Sequence, residues 1–203
     1  MPQVLNDPAA LAAMITARAK GMTRPFIVAL DGRSGAGKST LARTLADRLD
    51  AAVIEGDDFY VGGIALRDDS PQARASACID WTRQRRVLED LRGSRVAVWQ
   101  AFDWETFDGR LCDQPTRLAP KPIVILEGVY AARPELADLI DLRVLLVVAD
   151  EARTARLLAR EGVIGPWERQ WHEAEAYYFQ NLMPSAAFDV IAEVATHVMR
   201  RLG

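Results

Sequence analysis

Lysine is almost missing from this chain of 203 residues. Only Lys20, Lys38 and Lys121 occur, and arginine supplies the rest of the 25 basic side chains. Acidic residues number 28, so the formal net charge is −3. A surface built to coat nucleic acid carries a basic excess, so composition speaks against that partner. Cysteine is equally scarce. Cys78 and Cys112 lie far apart, forming neither a disulfide framework nor a metal-spaced pair, and a reducing cytoplasm is the expected setting. His172 and His197 stand alone on helical stretches and are read as non-ligands. No apolar run reaches the roughly 18 residues of a membrane span. The N-terminus lacks the basic start and apolar core of a signal peptide. No membrane contact is expected.

Half of the residues are hydrophobic. That suffices to bury a core without disulfides, in a single domain over 1–203 with a small insertion. Asp7 and Pro8 read as the cap and first residue of a helix running to about Lys20. Pro25–Asp31, Ala51–Glu55, Pro122–Glu127 and Leu142–Ala149 are short apolar runs that read as buried strands. Gly37–Leu49, with Leu41, Leu45 and Leu49 four apart, reads as a helix. Asp80 can cap a further helix to about Arg92, closed by Gly93. Arg95–Phe102 alternates like a strand, and 103–121 reads as loop. A short helix near Pro134–Ile140 and helices at Glu151–Glu161 and Pro166–Leu182 follow. Phe188–Val190 starts a last strand or helix. Alternation of strand and helix predicts a mostly parallel, five-stranded α/β sheet with helices on both faces. Functional groups should collect at the carboxyl ends of its strands.

Gly32-Arg33-Ser34-Gly35-Ala36-Gly37-Lys38-Ser39, followed by Thr40, fits the spacing G-x-x-x-x-G-K-[ST]. Its glycines let successive backbone N–H groups turn inward around phosphate oxygens. The helix that follows adds the positive end of its dipole. Lys38 reaches the β- and γ-phosphates of a nucleotide, and the Ser39 hydroxyl suits Mg²⁺. Phosphoryl transfer also needs carboxylates for the metal and for the acceptor hydroxyl. Asp57 and Asp58 follow one expected strand and Glu127 ends another. We read Asp57 as the general base, with a share in metal binding, and Glu127 as a metal holder acting through water. Asp58 is read as loop decoration. Arg153, Arg156 and Arg160 share a helical face. They form either a lid aimed at the transferring phosphoryl group or a solvated face paired with neighbouring glutamates. Trp167 and Trp171 are read as core or rim residues, like most large aromatics, and Tyr177, Tyr178 and Phe179 as packing.

These motifs resemble the uridine kinase and phosphoribulokinase branch of P-loop kinases. The resemblance rests on 32–40, Gly-Asp-Asp-Phe-Tyr at 56–60, Ile-Asp-Trp at 79–81, Phe-Asp-Trp at 102–104, Ile-Leu-Glu-Gly-Val-Tyr at 125–130 and the arginine series. It implies a three-layer P-loop fold with ATP and Mg²⁺ as cofactors. A substrate-binding segment would span about 58–115 and a helical lid about 153–170. It further implies that Asp57 takes the proton of a nucleoside 5′-hydroxyl, that Tyr60 lies by the substrate, and that Phe102 and Trp104 flank the base. Asp80 matches a ribose-binding aspartate, a role that competes with plain helix capping. Arg156 and Arg160 contact phosphates. Such kinases are often dimers or tetramers, so a homo-oligomer is open. The sequence departs from the pattern at Asp58, where serine is usual, and at Trp81-Thr82, where His-Pro is usual. Phe107 or Asp108 stands near the place of a pyrimidine-selecting histidine. The acceptor is then a small molecule: a nucleoside, or another hydroxyl compound such as a sugar or vitamin precursor. No Asn-Lys-x-Asp guanine motif occurs to support a GTPase switch.

Overall fold

The computed structural model describes residues 1–193. His197 lies outside them. In chain order the strands are β1 (Gln3–Leu5), β2 (Phe26–Asp31), β3 (Ala52–Glu55), β4 (Ala97–Trp99), β5 (Thr116–Leu118), β6 (Ile123–Glu127), β7 (Leu142–Val147) and β8 (Val190–Glu193). The helices are α1 (Pro8–Ala19), α2 (Lys38–Leu49), α3 (Pro71–Ala77), α4 (Trp81–Arg92), α5 (Asp150–Glu161) and α6 (Pro166–Tyr177). Six strands form one sheet in the order β1-β8-β7-β2-β6-β3, and every pair in it is parallel.

The central strand shows why both faces must be covered. All six residues of β2 are buried. Phe26, Val28 and Leu30 point to one face, where Leu11 and Ile15 of α1 and Leu41 and Leu45 of α2 close the core. Ile27 and Ala29 point to the other, against Val87, Leu88 and Leu91 of α4 and Ala174 of α6. β6 alternates in the same way, with Ile123 and Ile125 on the first face and Val124 and Leu126 on the second. A two-residue side-chain period inside an unbroken apolar run is the mark of a strand buried on both sides. Helix ends follow their expected chemistry. Asp7 accepts from the Ala9 N–H, and Asp80 accepts from the Arg83 N–H at 3.0 Å.

The sheet has one strand more than the five expected. β1 is only three residues long and half-exposed. Its alignment beside β8, Gln3 opposite Val190, is a main-chain matter that leaves no apolar pattern in the sequence. Two other elements differ from expectation. The stretch 56–79 contains α3, capped by Ser70, and the loop 103–121 contains β5, which pairs antiparallel with β4 as a separate ribbon. The last helix changes to a single π turn at Tyr178–Leu182.

Candidate active site

The carboxyl ends of β2, β3 and β6 open into a cavity of about 670 Å³. Ser34, Gly35, Gly37, Lys38, Ser39 and Thr40 form one end of it, and Glu55, Asp57 and Glu127 the floor. Trp104, Phe107, Trp167 and Trp171 add an aromatic wall that meets the loop at Ser34. Arg156, Arg160, Glu161, Glu168 and His172 reach it from α5 and α6.

Two glycines decide the shape of the phosphate loop. Gly32 has φ +150°, and a Cβ there would stand 2.6 Å from the Leu146 carbonyl oxygen of the neighbouring strand. Gly35 has φ +79°, and its Cβ would meet Leu157 Cγ at 2.9 Å and the Arg153 carbonyl oxygen at 3.0 Å. Only glycine serves at both points. The second clash shows that α5 lies directly on the loop. Arg156 donates to the carbonyl oxygens of Gly35 (3.3 Å) and Ala36 (2.9 Å), and Arg153 to that of Ser34 (3.5 Å). Of the loop's own N–H groups, those of Gly32, Ser34 and Ala36 are engaged by Asp31, Glu175 and the Arg33 carbonyl oxygen. Lys38 is buried and its Nζ bends back to the Arg33 carbonyl oxygen at 3.3 Å.

Glu127 is buried at the end of β6, in register with Glu55 of β3. Burial pushes its carboxyl up to about 7; Lys38 and the Ser39 hydroxyl pull it down, and the charges of Asp57 and Glu55 push it up. A carboxylate this poorly solvated, with a serine hydroxyl and a second carboxylate at hand, gains by sharing a cation. Among the described residues no group of three or more His, Cys, Asp or Glu forms a ready metal cage. That suits Mg²⁺, which keeps most of its waters and takes few protein oxygens beside substrate phosphates. Ser39, Glu127 and Asp57 are hard oxygen donors of the right kind.

Behind the loop lies a residue that sequence reading passed over. Asp31, the last residue of β2, is fully buried. It accepts from the N–H of Gly32 (2.8 Å), Tyr130 (3.1 Å) and Ala132 (2.9 Å) and from the Tyr178 hydroxyl (2.8 Å). It thereby ties the start of the phosphate loop to the turn after β6 and to the π turn. Tyr130, in that turn, has φ +72°, a strained value for a tyrosine. Burial nonetheless raises the Asp31 carboxyl from 3.8 to about 6. Between those values the folded chain holds a proton that the unfolded chain has released, so this group's contribution to stability falls as pH rises from about 4 to 6. The full effect is on the order of 3 kcal/mol. Asp31→Asn should destabilise the protein throughout, because the amide NH2 faces two of the four donors in place of an acceptor. Its cost should shrink as pH rises across that window. Thermal melts of both forms from pH 4 to 7 check this, and a constant difference would contradict it.

The sequence candidates divide clearly. Asp57 stands in a 3-10 turn (Gly56–Phe59) directly after β3 and lines the cavity, as do Lys38, Ser39, Glu127, Trp104, Arg156 and Arg160. Gly32 and Ala36 shape the loop without lining the cavity. Phe102 does not reach the cavity either. It is buried to 2% exposure and meets Tyr60 and Trp104 edge to face at 4.9 and 4.8 Å. Tyr60 is buried as well and faces a smaller cavity of about 230 Å³. Asp80 is occupied as a helix cap and lines neither cavity. Asp58 accepts from the Trp99 indole N–H at 2.7 Å, and burial raises its carboxyl.

Missed in the sequence were Trp167 and Trp171, while Phe107, which the resemblance had put near the place of a selecting histidine, lines the cavity. The two tryptophans stack at 5.9 Å with 12° between their planes, and Trp104 stacks on Phe107 at 5.5 Å. Trp167 and Trp171 are four apart on one helix, the spacing that would have placed both on one face. His172 lines the cavity too, and burial lowers its imidazole.

A parallel sheet with a phosphate loop after its central strand, carboxylates at adjacent strand ends and a walled cavity defines a P-loop small-molecule kinase. Residues 27–164, more than half the chain, match the Phosphoribulokinase / Uridine kinase family, and the chain belongs to that family. It is 26% identical over 147 residues to a uridine kinase of Limosilactobacillus reuteri; the match covers 69% of this chain and 66% of that enzyme, just under two thirds. Its fold is similar to that of a candidate uridine kinase from Bacillus stearothermophilus, with TM-score 0.70, 21% identity and coverage of 92% and 97% of the two chains. It is equally similar to a candidate fructose transport system kinase from Silicibacter, with TM-score 0.72, 23% identity and coverage of 91% and 98%. Among the described residues no helix is long and apolar enough to cross a membrane.

Proposed function

We propose that this chain transfers the γ-phosphoryl group of ATP to a hydroxyl of a small molecule, namely the 5′-hydroxyl of a nucleoside resembling uridine or cytidine. One observation carries this reading. A single cavity is lined by the phosphate-binding loop, by Asp57 and by four aromatic rings, Trp104, Phe107, Trp167 and Trp171. The loop amides and Lys38 bind the β- and γ-phosphates. Mg²⁺ would be held by Ser39, Glu127 and Asp57 and would neutralise charge on the phosphates. Asp57 accepts the acceptor's hydroxyl proton as the oxygen bonds to the γ-phosphorus. The bond from phosphorus to the bridging oxygen breaks and ADP leaves. Arg160 lines the cavity and is free to turn from Glu161, its ion-pair partner, to the transferring group. Arg156 steadies the loop. Trp104, with Phe107, Trp167 and Trp171, flanks the base; Tyr60 and Phe102 hold that wall from behind.

A second acceptor class is a sugar. Tryptophan faces also pack on the C–H face of a pyranose or furanose ring, and the fructose transport system kinase named above shares the fold. Both readings meet one test. Protein with Mg·ATP is mixed with a panel of nucleosides and sugars while ADP release and acceptor phosphorylation are followed. Turnover stimulated by a nucleoside and giving its 5′-phosphate is the expected result. Stimulation by sugars alone moves the assignment to the second class. Slow hydrolysis that ignores every acceptor overturns both and leaves an ATPase switch.

A further inference from the structure

Glu175 lies in α6, away from the carboxylates assigned above, and is wholly buried. One of its oxygens takes the Ser34 N–H at 3.1 Å, the Ser34 hydroxyl, and the Trp171 indole N–H at 2.6 Å. The same indole stands 3.0 Å from Ser34 Oγ. The second carboxylate oxygen has no hydrogen-bond partner among the described residues. These donors are all neutral, so the carboxylate is a buried acceptor satisfied on one side only. An unpartnered buried oxygen is costly, and the bonds on the other oxygen fix Ser34 and Trp171 in place.

The donors belong to two parts of the cavity lining that meet at this carboxylate. Ser34 is the third residue of the phosphate loop. Trp171 belongs to the aromatic wall, stacked on Trp167 and edge to face with Tyr130 at 5.9 Å. Through one carboxylate the turn that receives the nucleotide and the surface that receives the acceptor are a single hydrogen-bonded unit. We propose that Glu175 is a positioning residue that couples the phosphate loop to the aromatic wall where the two meet: it sets the Ser34 turn and the plane of the Trp171 ring together, so occupancy at one changes the other. The inference rests on the nucleotide reading of the loop. Coupling between two sites is reciprocal, so a nucleotide that shifts Ser34 must shift Trp171, and removing the link must weaken nucleotide binding.

The test uses the full chain and Mg²⁺ with a non-hydrolysable ATP analogue. In the wild type the analogue should change tryptophan emission, and Trp171→Phe, which keeps a ring but loses the indole donor, should remove most of that change. Glu175→Gln should melt within a few degrees of wild type. It should bind the analogue at least about fivefold more weakly by calorimetry and lose the Trp171 part of the emission response. A residue that merely packs would leave the emission response in place. Should Glu175→Gln fail to fold, calorimetry on Trp171→Phe decides, since that variant breaks the link from the other side and should also bind more weakly. Affinity within about twofold of wild type in the folded variants, or an unchanged emission response in Glu175→Gln, overturns the coupling. Lys38→Ala separates the two layers. If it abolishes analogue binding while the link variants bind normally, the loop reading stands and the coupling falls. If wild type does not bind the analogue, both fall.

Discussion

Lys38→Ala should lower phosphoryl transfer by about a thousandfold or more and leave the fold intact. The magnitude follows from what the ammonium does. It is the one lysine in the cavity, buried, and linked within the protein by a single long bond to the Arg33 carbonyl. On the proposed reading, charge that builds on the γ-phosphoryl oxygens in the transition state would be met there by a fixed cation in a poorly solvated site, where each such donor is worth roughly 10²- to 10³-fold or more. The fold should survive because Lys38 is the first residue of α2, where alanine is the best helix former, and because Leu41 and Leu45 anchor that helix in the core. Loss of Lys38 also removes the group that holds the Glu127 carboxyl down, so the variant should need higher pH to recover any metal-dependent activity. Steady-state turnover with a responding acceptor, together with a thermal melt, checks this. Near-wild-type turnover in a folded Lys38→Ala would remove the loop from the chemistry.

The parts of the molecule visible in the sequence are those set by local pattern. The phosphate loop is contiguous, and its glycines, Lys38 and Ser39 each have a reason that can be stated from spacing alone. β2 and β6 are unbroken apolar runs, and α2 and α4 carry caps or regular leucines, so their limits moved by a residue at most between expectation and structure. β1 escaped because its place depends on a partner 187 residues away, Gln3 beside Val190. The aromatic wall was half visible for the same reason. Trp104 stands on a loop beside a strand, which marks it, whereas Trp167 and Trp171 looked like packing until α6 was seen to cross the cavity. Phe102 shows the converse. It is two residues from Trp104 and equally aromatic, yet it is turned inward, where its backbone bridges to Leu111 and its N–H donates to the Asp58 carbonyl oxygen at 2.8 Å. Asp31 and Glu175 could not be found from pattern at all. Their importance comes from donors brought in from 99 to 147 positions away, and nothing in an isolated aspartate or glutamate announces that.

Asp57→Asn is the sharper test of the chemistry, because it should separate binding from transfer. The side chain follows β3 on a short turn and faces the cavity, while the backbone of that turn is held independently by the Tyr60 N–H to the Asp57 carbonyl oxygen at 3.2 Å. Replacing the carboxylate by an amide of the same shape leaves that turn, the loop and the aromatic wall in place. It removes the proton acceptor and one negative oxygen beside Glu127. Nucleotide affinity should stay within about threefold of wild type, since Lys38 and the loop amides are unchanged. Turnover with acceptor should drop by roughly 10²- to 10⁴-fold, the usual worth of a positioned general base. The loss should appear in kcat rather than in the KM for the acceptor, because the interaction is made as the hydroxyl proton leaves and not in the ground state. Equal loss of nucleotide binding would instead make Asp57 chiefly a metal holder. Unchanged kcat would shift the base to Glu55 or Glu127, the two other carboxylates on the same floor.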